Sequence, residues 1–77
     1  MAQQLVEYLV KGLVSKPDEV VVKEVETSGK RVLQIRVSPH DIAKVIGSGG
    51  RIFRALRTIA SLALPPEIKD IIIDVSE

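Results

Sequence analysis

One stretch of the chain combines residue types that could meet an anion: Ile42-Ala43-Lys44-Val45-Ile46-Gly47-Ser48-Gly49-Gly50-Arg51-Ile52-Phe53-Arg54. Its glycines permit positive φ and leave no side chain to bar the approach of another backbone. A helix beginning directly after them would point its first amides, those of residues 49–52, outward at the positive end of its dipole. Lys44, Arg51 and Arg54 flank that turn with positive charge. Ile42, Val45 and Ile46 either form an apolar wall beside it or belong to the core, and the residue types allow both. A phosphate-binding turn next to an apolar strip suits a nucleic-acid backbone on one side and bases on the other.

The rest of the chain offers little other chemistry. It has no Cys and one His, which argues against disulfides, thiolate metal sites, a Cys nucleophile and a transition-metal centre. The glycine turn lacks the Gly-Lys-Ser/Thr ending of a P-loop and has no general base beside it. No catalytic residue, metal ligand or cofactor site is expected. Charge is unevenly placed: residues 1–41 are balanced, residues 42–66 hold Lys44, Arg51, Arg54 and Arg57 with no acid, and residues 67–77 are net negative. A local positive segment in a chain of net charge +1 points to an anionic partner met at one place. A solvated helix face is the plainer alternative. The start, Met1-Ala2-Gln3-Gln4, has no basic leader region, and no apolar stretch approaches the roughly 18 residues of a membrane span. A cytoplasmic protein is expected.

At 77 residues the chain has one core to fill, so residues 1–77 are expected to form one domain. Leu5, Val6, Leu9, Val10, Leu13 and Val14 recur at helical period and predict an amphipathic helix over 3–14. Two β-branched runs follow, Glu19–Thr27 and Lys30–Val37, separated by Ser28-Gly29 as a hairpin. Leu33, Ile35 and Val37 alternate with Gln34 and Arg36, whereas the first run alternates less cleanly and allows a bulge. Ser38 is placed to cap a helix with Pro39 at its first position, and Asp41 would complete a near capping box. That helix stops at Gly47-Ser48-Gly49-Gly50, and a second runs over about 51–63 until Pro65-Pro66. Ile68–Val75 reads as a third strand. The order α-β-β-α-α-β implies an α+β fold with a three-stranded sheet and three helices on one face. Strands two and three, joined through two helices, should run parallel, with the second strand central.

Val45-Ile46-Gly47-Ser48-Gly49-Gly50 resembles the V-I-G-x-x-G signature of KH domains, and the element order is similar to their type II, bacterial form. Ser38–Gly47 and Arg51–Arg57 further resemble the small stand-alone KH proteins of bacteria, the KhpA type. The resemblance covers essentially the whole chain. It implies a non-catalytic module binding about four unpaired RNA nucleotides, the backbone clamped by the GxxG turn and the bases in an apolar groove. Carried onto this chain, Gly47, Ser48, Gly49 and Gly50 become the clamp. Lys44, Arg51 and Arg54 become phosphate contacts. Ile42, Val45 and Ile46 line the groove, with Val37 a weaker candidate at the strand end opposite. Many members place Lys or Arg at a middle position of the turn, where this chain has Ser48 and Gly49. The resemblance also implies post-transcriptional regulation or RNA chaperoning. A second RNA-binding protein of the Jag (KhpB) type is the implied partner, with links to cell shape.

Other residues carry plainer readings. Arg31 and Arg36 read as surface charges, His40 as a solvated residue at a helix start, and Phe53 as core rather than a stacking platform. Arg57 is read equally as a solvated charge or a contact. With Tyr8 the only other aromatic, a reader that works by stacking is disfavoured. The rival functions are a dimerisation or adaptor module on the same scaffold, possible as a homodimer, and single-stranded DNA binding.

Overall fold

The computed structural model describes residues 2–28, 30–64 and 70–77. Helix α1 spans Ala2–Lys11, strands β1 and β2 span Val21–Thr27 and Lys30–Arg36, helices α2 and α3 span Ile42–Ile46 and Arg51–Ala63, and strand β3 spans Asp70–Ser76. The α-β-β-α-α-β order and α+β class are as expected. Pro65-Pro66, Gly29 and the predicted start of the third strand at Ile68 lie outside the described residues.

The sheet order is β1-β2-β3. β1 and β2 pair antiparallel from Val21↔Arg36 to Thr27↔Lys30 without interruption, so the bulge allowed for is not there. β2 and β3 run parallel from Lys30↔Asp70 to Arg36↔Ser76. Two-residue alternation then decides which side chains meet the helices. Val22, Leu33, Ile35, Ile71 and Ile73 are buried on one face, whereas Val21, Lys23, Val25, Gln34 and Ile72 are exposed on the other. One face is covered and the other is open.

The helices close the core with Val6 and Val10 from α1, Val45 from α2 and Leu56 and Ala60 from α3. Gln3 Nε2 donates to the Val22 carbonyl at 2.8 Å and ties the start of α1 to β1. α1 is shorter than its apolar stripe. Gly12 donates back to Tyr8 and Leu9, Leu13 to Val10, and the chain then leaves the helix. Gly is a poor helix residue, and the segment that follows is held elsewhere. Ser15 and Lys16 turn toward Asp41.

Candidate nucleic-acid interface

The glycine turn is approached through a short helix that needs outside support. α2 has five residues, far fewer than an isolated helix needs to persist in water. Its C-terminal half is held by Val45, which is fully buried in the core. Its start follows a 3-10 turn, Pro39–Asp41, where Ser38 Oγ accepts from the His40 amide at a long 3.4 Å. The near capping box does not form. Asp41 is wholly buried and accepts instead from the Ser15 amide (3.0 Å), the Ser15 hydroxyl (2.7 Å) and the Lys16 amide (3.1 Å). Asp is too short to reach back to the cap, and three better donors face it. The Lys44 ammonium lies 3.5 Å from the same carboxylate. The Ser15 amide is the main reason the carboxyl is held down to about 2; burial opposes the shift, and the Ser15 hydroxyl, Lys16 amide and Lys44 charge add to it. Wholly buried, the Asp41 carboxylate presents no oxygen to a ligand at the surface.

The turn itself depends on glycine at two kinds of position. Gly47 has φ 78° and ψ 170°, a region open essentially to glycine alone. A Cβ there would lie 2.8 Å from Ile52 Cγ1. Gly49 also has positive φ, 64°, but a Cβ on it would meet nothing within 4 Å. The turn is thus packed on its Gly47 side and open at Ser48 and Gly49, which are exposed. Not all of its amides point outward as expected. Gly50 donates to the Gly47 carbonyl and Arg51 to that of Ser48, because residues 48–50 wind into a 3-10 turn before α3 begins.

Around this turn the sequence candidates separate into groups. Arg51 and Arg54 are exposed, and Arg54 Nη1 lies 3.9 Å from where a Cβ of Gly50 would be, so its guanidinium folds over the turn. Among the described residues neither arginine has an acidic partner within ion-pair distance, whereas Lys44 is paired with Asp41. Ile42 and Ile46 are half-buried and present part of their surface. Val45 presents none, so any part it has in binding is to hold α2 down. Val37 is also buried, at 4% exposed, and lines a hollow with Pro39 and Arg36 rather than one at the turn. Arg31 is not a surface charge: it shares the covered face with Leu33 and is paired with Glu24 and Glu26.

Sequence reasoning weighed Arg57 as a contact and Phe53 as core but passed over the strand that faces them. Phe53 and Arg57, one turn apart on α3, line a 120 Å³ cavity with Ile71, Ile72 and Ile73 of edge strand β3. Phe53 is half-buried and packs against the core while bordering this cavity. The signal was the unbroken Ile71-Ile72-Ile73 run, which was read only as a strand. A second hollow, 260 Å³ and almost wholly apolar, lies between α1 and α3, lined by Leu9, Leu13, Ile52, Ala55 and Ile59 with Arg51 at its rim.

Comparison with known proteins now places this geometry. The KhpA/KhpB KH-domain family model matches residues 3–75. The RNA-binding protein KhpA of Clostridium perfringens is 41% identical over 73 residues, covering 95% of this chain and 97% of that protein. Its namesake in Streptomyces coelicolor is 49% identical over 59 residues, covering 77% and 75%. That of Thermotoga maritima is 40% identical over 73 residues, covering 95% and 96%. Among solved structures, Era in complex with MgGDPNP and nucleotides 1506–1542 of 16S ribosomal RNA is similar with a TM-score of 0.65 at 17% identity. The likeness covers 97% of this chain and 29% of Era, and it speaks for the fold alone. A Gly47–Gly50 turn between two helices, on a three-stranded α+β scaffold matched along nearly its whole length, makes this chain a member of the KhpA/KhpB KH-domain family.

Proposed function

We propose that this protein binds single-stranded RNA, gripping the backbone of about four nucleotides at Gly47–Gly50 and laying the bases along the cavity between α3 and β3. The observation that carries the reading is the open side of the turn at Ser48 and Gly49, with Arg51 and Arg54 beside it and without an acidic partner among the described residues. Phosphates meet those two guanidiniums and the glycine backbone, which bars nothing. Bases meet Ile42, Ile46, Phe53 and the Ile71–Ile73 edge, where an unstacked base finds apolar surface and free strand groups. The family's curated members carry the name RNA-binding protein, which supports the same polymer. The role is that of a cytoplasmic, non-catalytic RNA chaperone or post-transcriptional regulator, with a second KH protein of the Jag (KhpB) type as partner. Replacing Ser48 and Gly49 together by Asp tests it. Two carboxylates on an exposed turn should abolish binding of an unpaired RNA oligomer while the circular dichroism spectrum stays unchanged. Undiminished affinity in that folded variant would remove the turn from the site, and equal affinity for the matching DNA strand would widen the ligand class.

A second reading, self-association, has its own observation. Ala55, Ile59 and Leu62 form one stripe on α3 at i, i+4 and i+7, and Leu62 is 82% exposed. An antiparallel α3 from a second copy would set each Leu62 against the small Ala55 of the other, beside the apolar groove. Two joined sites would raise the effective affinity of a four-nucleotide module.

A further inference from the structure

We propose that Asp41 sets the charge of the RNA clamp by holding Lys44 in an ion pair, so that phosphates are met by Arg51 and Arg54 alone. This rests on the clamp reading above and adds to it a residue that touches no RNA. Asp41 is fully buried, and its oxygens face Ser15 and Lys16 of the α1–β1 connection on one side and the Lys44 ammonium on the other. Ser15 and Lys16 supply dipoles and no net charge through these bonds; Lys44 is the one full cation within reach among the described residues. Only the carboxylate end of the pair is buried; the Lys44 side chain is half-exposed, and its ammonium caps a charge otherwise met by dipoles alone.

Geometry acts in the same direction. Side chains on a helix lean toward its N-terminus, and Lys44 leans back onto Asp41. The turn lies past the opposite end of α2, about 9 Å along the axis from Asp41 at 1.5 Å per residue, and the Lys44 ammonium sits at the Asp41 end. Lys44 therefore answers the Asp41 carboxylate from the surface, and α2 meets the ligand with its apolar residues and its glycine end. Asp41 is a positioning residue here. It also fixes where the five-residue α2, and so Gly47, stands against the α1–β1 connection.

Salt dependence reads this directly. On single strands each cation that neutralises a phosphate contributes about −0.7 to the slope of log K against log salt. Binding of a labelled unpaired octanucleotide of mixed sequence would be titrated across a salt series for the parent and four variants. The parent should show a slope near ~−1.4, from two arginines. Lys44→Ala should keep that slope, with affinity within about two-fold at any one salt concentration. Arg54→Ala should flatten the slope by ~0.7. Asp41→Asn frees Lys44 and should steepen it to ~−2, while Ser15→Ala, which leaves the ion pair in place, should not change it. A merely structural Asp41 would alter affinity through the folded fraction and leave the slope alone. A Lys44→Ala slope flattened by ~0.7 overturns the proposal. That variant alters an exposed side chain and decides the matter even where Asp41→Asn does not fold. A parent that binds no RNA refutes the clamp reading itself, a distinguishable result.

Discussion

Gly47 and Gly49 stand two residues apart in one turn, both at positive φ, and alanine should cost very different amounts at each. At Gly47 the backbone lies at φ 78° and ψ 170°, where a non-glycine residue is strained by about 1–3 kcal/mol. Its Cβ would also arrive 2.8 Å from Ile52 Cγ1 and 3.0 Å from the Ile52 amide nitrogen. The backbone atom cannot swing aside, so overpacking adds a further 1–3 kcal/mol or so. A total near ~4 kcal/mol is a large share of what a small domain has in hand. At Gly49, with φ 64° and nothing within 4 Å, only left-handed strain of about 1–2 kcal/mol applies. Reduced freedom of the unfolded chain returns roughly 0.4–1 kcal/mol of that. Urea unfolding followed by far-ultraviolet circular dichroism measures both. Gly47→Ala should shift the midpoint by several times as much as Gly49→Ala, with equal slopes. Equal shifts, or a Gly47→Ala cost below about 1 kcal/mol, would refute the packed-side, open-side account of the turn.

Asp41 makes stability depend on acid. Its folded pKa is depressed to about 2 from an ordinary 3.8, so its contribution is whole above about pH 4 and is lost as pH falls toward 2. The urea midpoint of the parent should fall through that window by more than that of Asp41→Asn, and parallel curves would contradict the assignment. Leu62→Asp should leave the thermal midpoint nearly unchanged, because the side chain is 82% exposed, and should abolish any dimer seen by sedimentation. A parent that sediments as a monomer with and without RNA would end the self-association reading.

Period alone placed much of the fold. Ile52, Leu56, Ile59 and Ala60 outline α3 over the residues the structure gives it, and the alternation of Leu33 and Ile35 marks the covered face of β2. That same alternation puts Arg31 on the Leu33 side, so its inward pairing with Glu24 was legible and passed over. Asp41 was not. Its donors come from Ser15 and Lys16, across two strands of intervening chain, and no local spacing signals a contact that only tertiary packing creates. Near Ser38 it imitated a capping box. The glycine turn was legible as open to another backbone, but which of its glycines is packed depends on Ile52 folding back over Gly47. The parallel pairing with a central second strand already made β3 an edge strand; what no residue pattern signalled was that Phe53 of α3 stands beside its Ile71–Ile73 run.

The most direct test of the central claim is a two-dimensional ¹⁵N NMR titration of the folded protein with an unpaired RNA oligonucleotide, repeated with a duplex of the same bases. The account predicts that the single strand perturbs the amides of Gly47 to Arg54 and of Ile71 to Ile73, and that the duplex perturbs them far less. Lys23, Gln34 and Asp74, on the open face of the sheet, should stay unmoved. Perturbation centred on that open face, or equal response to strand and duplex, would contradict it.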